Sequence, residues 1–409
     1  MSAHFAIFGI HPKLSLAELI SVYPDAAKPQ LVCDQAAVFQ ADDWDGEVAM
    51  NQLGGTVKLG DILLTSKVQS LKLKDIADQL IRLADQDKEP RTPDSKRSLD
   101  FGWTVYGTGK QKQILEKFPI KIKQELSRRG FSVRWVTGPR QSPLSPAAVA
   151  KCKLTQSPNA DLCAFVNGDE VIIGRTTHVQ DADAWSKRDY GRPYRDDENG
   201  MLPPKLARMM VNLADVKKGQ TVLDPFCGSG TVLMEACLAT QAATIIGSDI
   251  EAQQVKDTQD NLDWLERNGV IYNTDQKRFK IFQSDVRQIA KHLAPKSVDA
   301  VVTEGWLGPP LRGSESLEQL KANADAVTDL WTETFVALKK VLKPGARLIV
   351  IAPSFKTAHG VARVNLQAVA EAAGLHVEKP LQALGQDVTE LVYHREGQRV
   401  MRRILVLTN

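Results

Sequence analysis

At 409 residues the chain is long enough for two or three domains of about 100–200 residues each. With 43% hydrophobic residues, 25% charged residues and a formal net charge of +3, its composition is that of an ordinary soluble protein. No apolar run approaches the roughly 20 residues that cross a bilayer, and no charged region followed by a secretion-type core opens the chain.

The five cysteines, Cys33, Cys152, Cys163, Cys227 and Cys237, are scattered without a C-x-x-C pair. That spacing argues against a zinc site and a disulfide framework, so no metal is expected and a reducing cytoplasm is. The near-neutral total hides an asymmetry. Residues 1–50 hold two Lys/Arg against seven Asp/Glu, whereas residues 101–153 hold eleven against two. A local basic block on a neutral protein is the footprint of a polyanion-binding surface, although solvated helix faces also look like this.

In chain order, residues 1–55 predict a small α/β module. His4 to Gly9 reads as a strand, Ser15 with Glu18 as a capping box opening a helix, and Val32 to Phe39 as a second strand. Residues 56–177 predict a second α/β domain. Val57 to Lys67 is strand-like, and Leu73, Ile76, Leu80, Ile81 and Leu83 carry helical spacing. Asp85 to Asp100 reads as an exposed loop. After the strand Phe101 to Tyr106, a helix from about Pro119 to Arg129 turns Ile122 and Leu126 inward. It leaves Lys121, Lys123, Arg128 and Arg129 outside as candidate RNA-binding residues. Asn167-Gly168 joins two further strands as a hairpin. Residues 178–200 are charged and poor in aliphatics, which predicts a linker running over the surface.

From 201 to 409 the pattern alternates between short apolar runs and amphipathic helices, the signature of a parallel sheet covered on both faces. The first strand-to-helix turn is Thr221-Val-Leu-Asp-Pro-Phe-Cys-Gly-Ser-Gly-Thr231. Such a turn lets a nucleotide-like ligand lie against bare backbone at a helix N-terminus. A phosphate-binding P-loop needs a lysine that is absent here, and a dinucleotide fingerprint needs a third glycine where Leu233 stands. An acid ahead of the glycines would repel a pyrophosphate and welcome an ammonium, as S-adenosylmethionine carries.

Ligands of open parallel sheets lie at the carboxyl ends of the strands. Acids stand at four of those ends: Asp224, Asp249, Asp285 and Glu304. Asp249 suits ribose hydroxyls and Asp285 suits an exocyclic adenine amine. Glu304, the carbonyl of Gly305 and the ring of Trp306 offer what methylating a base amine requires: two acceptors for its protons and a face that holds the base. A plain strand-end turn is the competing reading.

These motifs resemble class I S-adenosylmethionine-dependent methyltransferases acting on base amino groups, and more narrowly the THUMP-domain tRNA guanine-N2 methyltransferases that modify guanosine at position 10. Asp224-Pro-Phe-Cys-Gly-Ser-Gly-Thr231 resembles the family's cofactor loop. Arg188-Asp189, Arg192-Pro193 and Met201 to Arg208 resemble the segment ahead of its catalytic domain, and Phe101 to Thr177 resembles a THUMP domain. At the fourth strand the family usually has Asp/Asn-Pro-Pro-Tyr/Phe, where this chain has Glu304-Gly305-Trp306-Leu307.

The resemblance implies an α/β fold class: a Rossmann-like class I methyltransferase domain with a seven-stranded, mostly parallel sheet at 201–409. A ferredoxin-like module at 1–55, a THUMP-like RNA-binding domain at 56–177 and a linker at 178–200 would precede it. The implied cofactor is S-adenosyl-L-methionine, held by Asp224, Pro225, Phe226, Gly228, Gly230, Thr231, Asp249, Ile250, Asp285 and Val286. Catalysis would rest on Glu304, Gly305 and Trp306, by direct in-line transfer to the base nitrogen with no metal. The implied partner is tRNA, whose target base must leave its stack to reach the pocket. Some relatives work with a small activating subunit, and the default for this chain is a monomer. Two alternatives stay open: amino-methylation of DNA or ribosomal RNA, and a non-catalytic RNA-binding protein that keeps the fold.

Overall fold

A computed structural model describes residues 2–24, 27–42, 44–86, 97–195, 201–271, 275 and 277–409. The chain forms two compact units, one of residues 1–12 and 23–183, the other of residues 13–22 and 184–409.

The first unit is built on one eight-stranded sheet. Its strands are β1 (Ser2–Phe8), β2 (Ala27–Cys33), β3 (Ala36–Ala41), β4 (Thr56–Lys67), β5 (Arg97–Tyr106), β6 (Phe131–Val136), β7 (Ala160–Asn167) and β8 (Glu170–Val179), in the order β2-β3-β1-β4-β8-β7-β5-β6. Of the helices up to this point, α1 (Pro12–Val22) belongs to the second unit from Lys13 on, while those of the first are α2 (Gly46–Gln52), α3 (Leu73–Asp85), α4 (Gly109–Leu115), α5 (Phe118–Arg128) and α6 (Pro146–Lys151). Helices α3 and α5 bury Ile76, Leu80, Ile122 and Leu126 in a core with Phe101, Leu162 and Ile173. The hairpin at Asn167-Gly168 forms, with Asn167 opposite Glu170 and Gly168 at φ 60°.

Three expectations change here. Strand β1 pairs antiparallel with β4, His4 opposite Asp61, so residues 1–55 and 56–177 share one sheet. A strand edge left open by its local partner was covered by a segment far along the chain, which a local pattern does not reveal. The strand read over Val32 to Phe39 is two strands, broken by a turn at Asp34 and Gln35. The loop expected at Asp85 to Asp100 falls largely on 87–96, outside the described residues, and β5 already begins at Arg97.

The second unit carries the regular alternation. After α7 (Ala182–Tyr190) and α8 (Pro204–Leu213) come β9 (Thr221–Asp224), α9 (Thr231–Ala239), β10 (Thr244–Asp249), α10 (Ala252–Arg267), β11 (Phe279–Gln283), β12 (Val298–Thr303) and α11 (Leu317–Leu338). The chain ends with β13 (Leu342–Thr357), β14 (Gly360–Arg363), α12 (Leu366–Ala372), β15 (His376–Val377), β16 (Glu390–Tyr393) and β17 (Val400–Thr408). Seven strands run in the order β11-β10-β9-β12-β13-β17-β15, with β14 and β16 as short additions on β13 and β17. The first five are parallel and β17 is antiparallel to β13.

This is the mostly parallel α/β sheet that the alternation after residue 201 predicts. Its order reverses between β10 and β12 around β9, which opens a crevice at the carboxyl ends of the strands. A core of Leu223, Val301, Trp331, Phe335, Leu348 and Leu405 closes the sheet against α11. Helix α11 starts at Leu317, where Ser316 and Gln319 form a capping box. No helix of the described residues is long and apolar enough to cross a membrane.

Helix α1 corrects another expectation. It begins at Pro12, so Ser15 lies inside it and is no cap. Glu18 is fully buried, and its Oε1 accepts a hydrogen bond of 2.7 Å from Asn212 Nδ2 on α8. A buried carboxylate that is not a cap must find a polar partner elsewhere. Glu18→Ala strips that partner from a buried amide, so the expected loss is about 1–3 kcal/mol of stability. Urea unfolding measures it, and an unchanged midpoint would show that the contact carries no weight.

Candidate functional site

The acids at the strand ends gather. Asp224, Asp249, Asp285 and Glu304 all line one cleft of about 500 Å³ in the second unit, together with Phe226, Gly228, Thr231, Gly305 and Trp306. Register explains why: Gly247 of β10 lies opposite Asp224 of β9, and Asp249 opposite Gln283 of β11, so successive strands deliver their last residues to one edge.

The glycine loop is latched from two sides. Asp249 Oδ2 accepts from the Gly228 N–H at 2.9 Å, its Oδ1 accepts from the Glu251 N–H at 3.1 Å, and the Cys227 N–H donates to the Ser248 carbonyl at 2.9 Å. From α10, Thr258 Oγ1 donates to the Gly228 carbonyl at 2.6 Å and Asn261 Nδ2 to the Ser229 carbonyl at 2.9 Å. Gly230 has φ 85°, and a Cβ there would come within 3.0 Å of Thr258, so only glycine fits.

Each acid has its own environment. Asp224 is 2% exposed, and burial pushes its carboxyl up to about 7, opposed by the nearby Thr303 hydroxyl and the bond from the Phe226 N–H and helped by the charges of Asp249 and Glu304. Asp285 differs from expectation. It caps the turn of residues 286–291, and its two oxygens take the forked guanidinium of Arg287 at 2.5–3.0 Å, which holds its carboxyl below the usual range. Its first partner is therefore Arg287, a residue two positions on that the strand-end argument did not weigh.

Glu304 follows β12 and accepts a bond of 2.5 Å from Arg402 Nε on β17; the two side chains are 17% and 4% exposed. Gly305 has φ 68°, and a Cβ there would stand 2.6 Å from the Trp331 ring. The segment is thus held by packing in place of the proline rings it lacks. Trp306 is 43% exposed at the cleft. Sequence reasoning missed Arg402. Its signal was the pair Arg402-Arg403 inside an otherwise apolar last strand, since buried guanidinium groups require carboxylates; Arg403 takes Glu390 at 2.7 Å.

The expected surface linker is also corrected. Residues 196–200 of it lie outside the described residues, but Ala182–Tyr190 is a helix with Trp185 buried. Arg188 and Arg208 both bind the fully buried Glu235 of α9, at 2.8 and 2.9 Å. Arg192 Nη1 donates to Thr231 Oγ1 at 2.7 Å, and Asn261 bridges the backbone of Tyr194. Its charges looked solvated only because their partners lie 39 and 47 residues away.

In the first unit the candidate RNA-binding set splits. Lys121 and Lys123 of α5 are exposed. Arg128 pairs with Glu125, and Arg129 pairs with both Glu125 at 2.8 Å and Asp78 at 2.5 Å. The Arg129 guanidinium braces α5 against α3, whereas that of Arg128 pairs within α5 itself.

A family model described as "RMKL-like, methyltransferase domain" matches residues 192–378, and another described as "DNA methylase" matches residues 66–260. A tRNA (guanine(10)-N2)-dimethyltransferase of Methanothermobacter thermautotrophicus is 35% identical over 156 residues, 38% of this chain and 40% of that relative. A probable tRNA (guanine(10)-N2)-dimethyltransferase of Methanothermococcus thermolithotrophicus is 34% identical over 122 residues, 29% of this chain and 70% of that relative. The chain belongs to this family. It spans less than half the length of the Methanothermobacter member. The crystal structure of TrmN from Thermus thermophilus shares the fold of this family member over the full length of both chains, with a TM-score of 0.53 at 19% identity.

Asp224 yields a pH-dependent test. With its carboxyl near 7 in the folded chain and near the ordinary 3.8 unfolded, the stability tied to it is full below about pH 4 and is lost as pH rises through 7. Asp224→Asn should therefore gain stability over the unsubstituted chain between pH 5 and pH 8, by up to on the order of 2–4 kcal/mol without ligand. Thermal melts across that range check it; a gap independent of pH would refute the assignment.

Proposed function

We propose that this chain methylates the exocyclic amine of a guanine in RNA, most directly N2 of guanosine 10 in tRNA, using S-adenosyl-L-methionine. One observation carries the reading: the latched glycine loop and the Glu304-Gly305-Trp306 segment line the same cleft.

The residues present fit the cofactor. The buried Asp224 has no ion-pair partner among the described residues and is charged at little cost only beside a cation, as the ammonium of the amino-acid moiety supplies. Gly228 leaves open space where a side chain would stand, its nearest neighbour to a built Cβ being Gln254 at 3.9 Å. Asp249, with Ile250, would hold the ribose, and Asp285 and Val286 would flank the adenine. When bound, the cofactor supplies an electrophilic methyl group on sulfonium.

The chain's own residues do the rest. Glu304 and the Gly305 carbonyl accept hydrogen bonds from the two amine N–H groups, which draws the nitrogen lone pair out of conjugation with the base. Trp306 stacks on the base and keeps the amine in line. In the first unit, residues 56–177 act as a THUMP-like domain with 1–55 as its companion, contacting RNA by backbone and shape, with Lys121 and Lys123 among the phosphate contacts. The cytoplasm suits a chain whose five cysteines are all free. The match to a DNA methylase model over 66–260 favours one second reading, amino-methylation of DNA.

Methyl transfer to transcribed tRNA, ribosomal RNA and duplex DNA separates these, with nucleoside mass spectrometry of the product. N2-methylguanosine in tRNA is expected, and label in DNA alone would overturn the RNA reading. Glu304→Gln should lower turnover at least tenfold with cofactor binding intact, whereas Asp249→Ala should weaken cofactor binding and loosen the loop; equal turnover in Glu304→Gln would remove that residue from the reaction. Reversing Lys121 and Lys123 should weaken RNA binding and reduce its log–log salt slope by about 2. Reversing Arg128 and Arg129 should also lower the melting temperature, because their ion pairs are lost. Salt titrations and melts of both double variants test the split.

A further inference from the structure

We infer that Arg402 is a positioning residue for the methyl transfer: it ties down one oxygen of Glu304 and leaves the other as the acceptor for the substrate amine. The inference rests on the function proposed above.

Arg402 stands where three strands meet. On β17 it lies opposite Pro353 of β13 and Tyr393 of β16, at the end of the sheet where β12 delivers Glu304. Its side chain is 4% exposed, and its Nε donates to Glu304 Oε1 at 2.5 Å. Burial draws the guanidinium down, but the adjoining Glu304 carboxylate outweighs it and holds the group above its ordinary value. The carboxylate is only 17% exposed, and it lines the cleft. One oxygen is thus spent inward on a fixed cation, while the residue still borders the space where a base would sit.

The sequence shows why such a tether is needed. A shorter acid followed by two prolines is held by its own backbone. Glu304 has one more rotatable bond, and the residue after it is glycine. A freely rotating carboxylate loses entropy each time it engages an amine. Packing of Gly305 on Trp331 fixes the backbone, and the Arg402 bond fixes the side chain. In the transfer, the amine nitrogen bonds the methyl carbon as the carbon–sulfur bond breaks, with that bond's electron pair staying on sulfur. One N–H proton leaves the nitrogen through the free Glu304 oxygen to water. Arg402 touches neither donor nor acceptor; it sets the angle and distance at which that oxygen meets the amine.

The test uses the full chain as Arg402→Lys, Arg402→Met, Glu304→Gln and the double variants of each Arg402 change with Glu304→Gln. Single-turnover transfer, cofactor affinity by calorimetry and thermal melts are read on each. Arg402→Met should slow transfer at least tenfold with cofactor Kd within twofold, and Arg402→Lys should recover part of the rate. Each double variant should be no slower than Glu304→Gln alone, since Arg402 then has nothing to position. Arg402→Met at the unsubstituted rate, or losses that multiply in the double variants, would overturn the inference. Should Arg402→Met fail to fold, Arg402→Lys and its double variant decide by the same non-additivity. An unsubstituted chain that transfers to DNA refutes the RNA reading while the Arg402 comparison is made on DNA. One that transfers to no nucleic acid overturns both.

Discussion

The cleft depends on one carboxylate. Asp249 divides its two oxygens between the N–H groups of Gly228 and Glu251, joining the end of β10 to the glycine loop that follows β9. A loop in left-handed backbone conformations has few internal bonds of its own, so its shape must be imposed from outside. Thr258 and Asn261 impose it from α10, and Asp249 imposes it from the sheet. The bare backbone that a ligand can approach is therefore rigid before any ligand arrives, and the ordering cost of binding is already met.

Buried charge follows a consistent division across the second unit. Glu235 takes two arginines and Glu304 takes one, so each carboxylate has a cationic partner within the fold. Asp224 is held by a neutral N–H, that of Phe226, and burial raises its carboxyl to about 7. A fold keeps an uncompensated buried acid at a cost to its own stability, and in a ligand cleft the compensation can come from a cationic ligand. The same logic explains why the segment ahead of α8 is no loose tether. Arg188 and Arg192 reach the helix that carries the glycine loop, binding Glu235 and Thr231.

The acid after β12 has no prolines directly behind it and is held by distant residues instead. Trp331 on α11 leaves room only for glycine at position 305, and Arg402 on β17 anchors the longer Glu304. The rigidity of this segment comes from tertiary packing, which is invisible in any window around residue 304.

The alternation after residue 201, the acid-then-glycine loop and the four strand-end acids were all legible in the sequence, because each follows from local periodicity or from the rule that ligands lie at the carboxyl ends of parallel strands. The helical faces of α3 and α5 were legible for the same reason. What only the tertiary structure decided is which charges are spoken for. Arg402 occupies Glu304, Asp78 occupies Arg129, and Asn212 meets Glu18. It also decided that β1 and β4 share a sheet across the expected boundary at residue 55. Periodicity reports the side of an element that is buried; electrostatic partners and edge pairings are matched between segments tens to hundreds of residues apart, and only folding brings them within bonding distance.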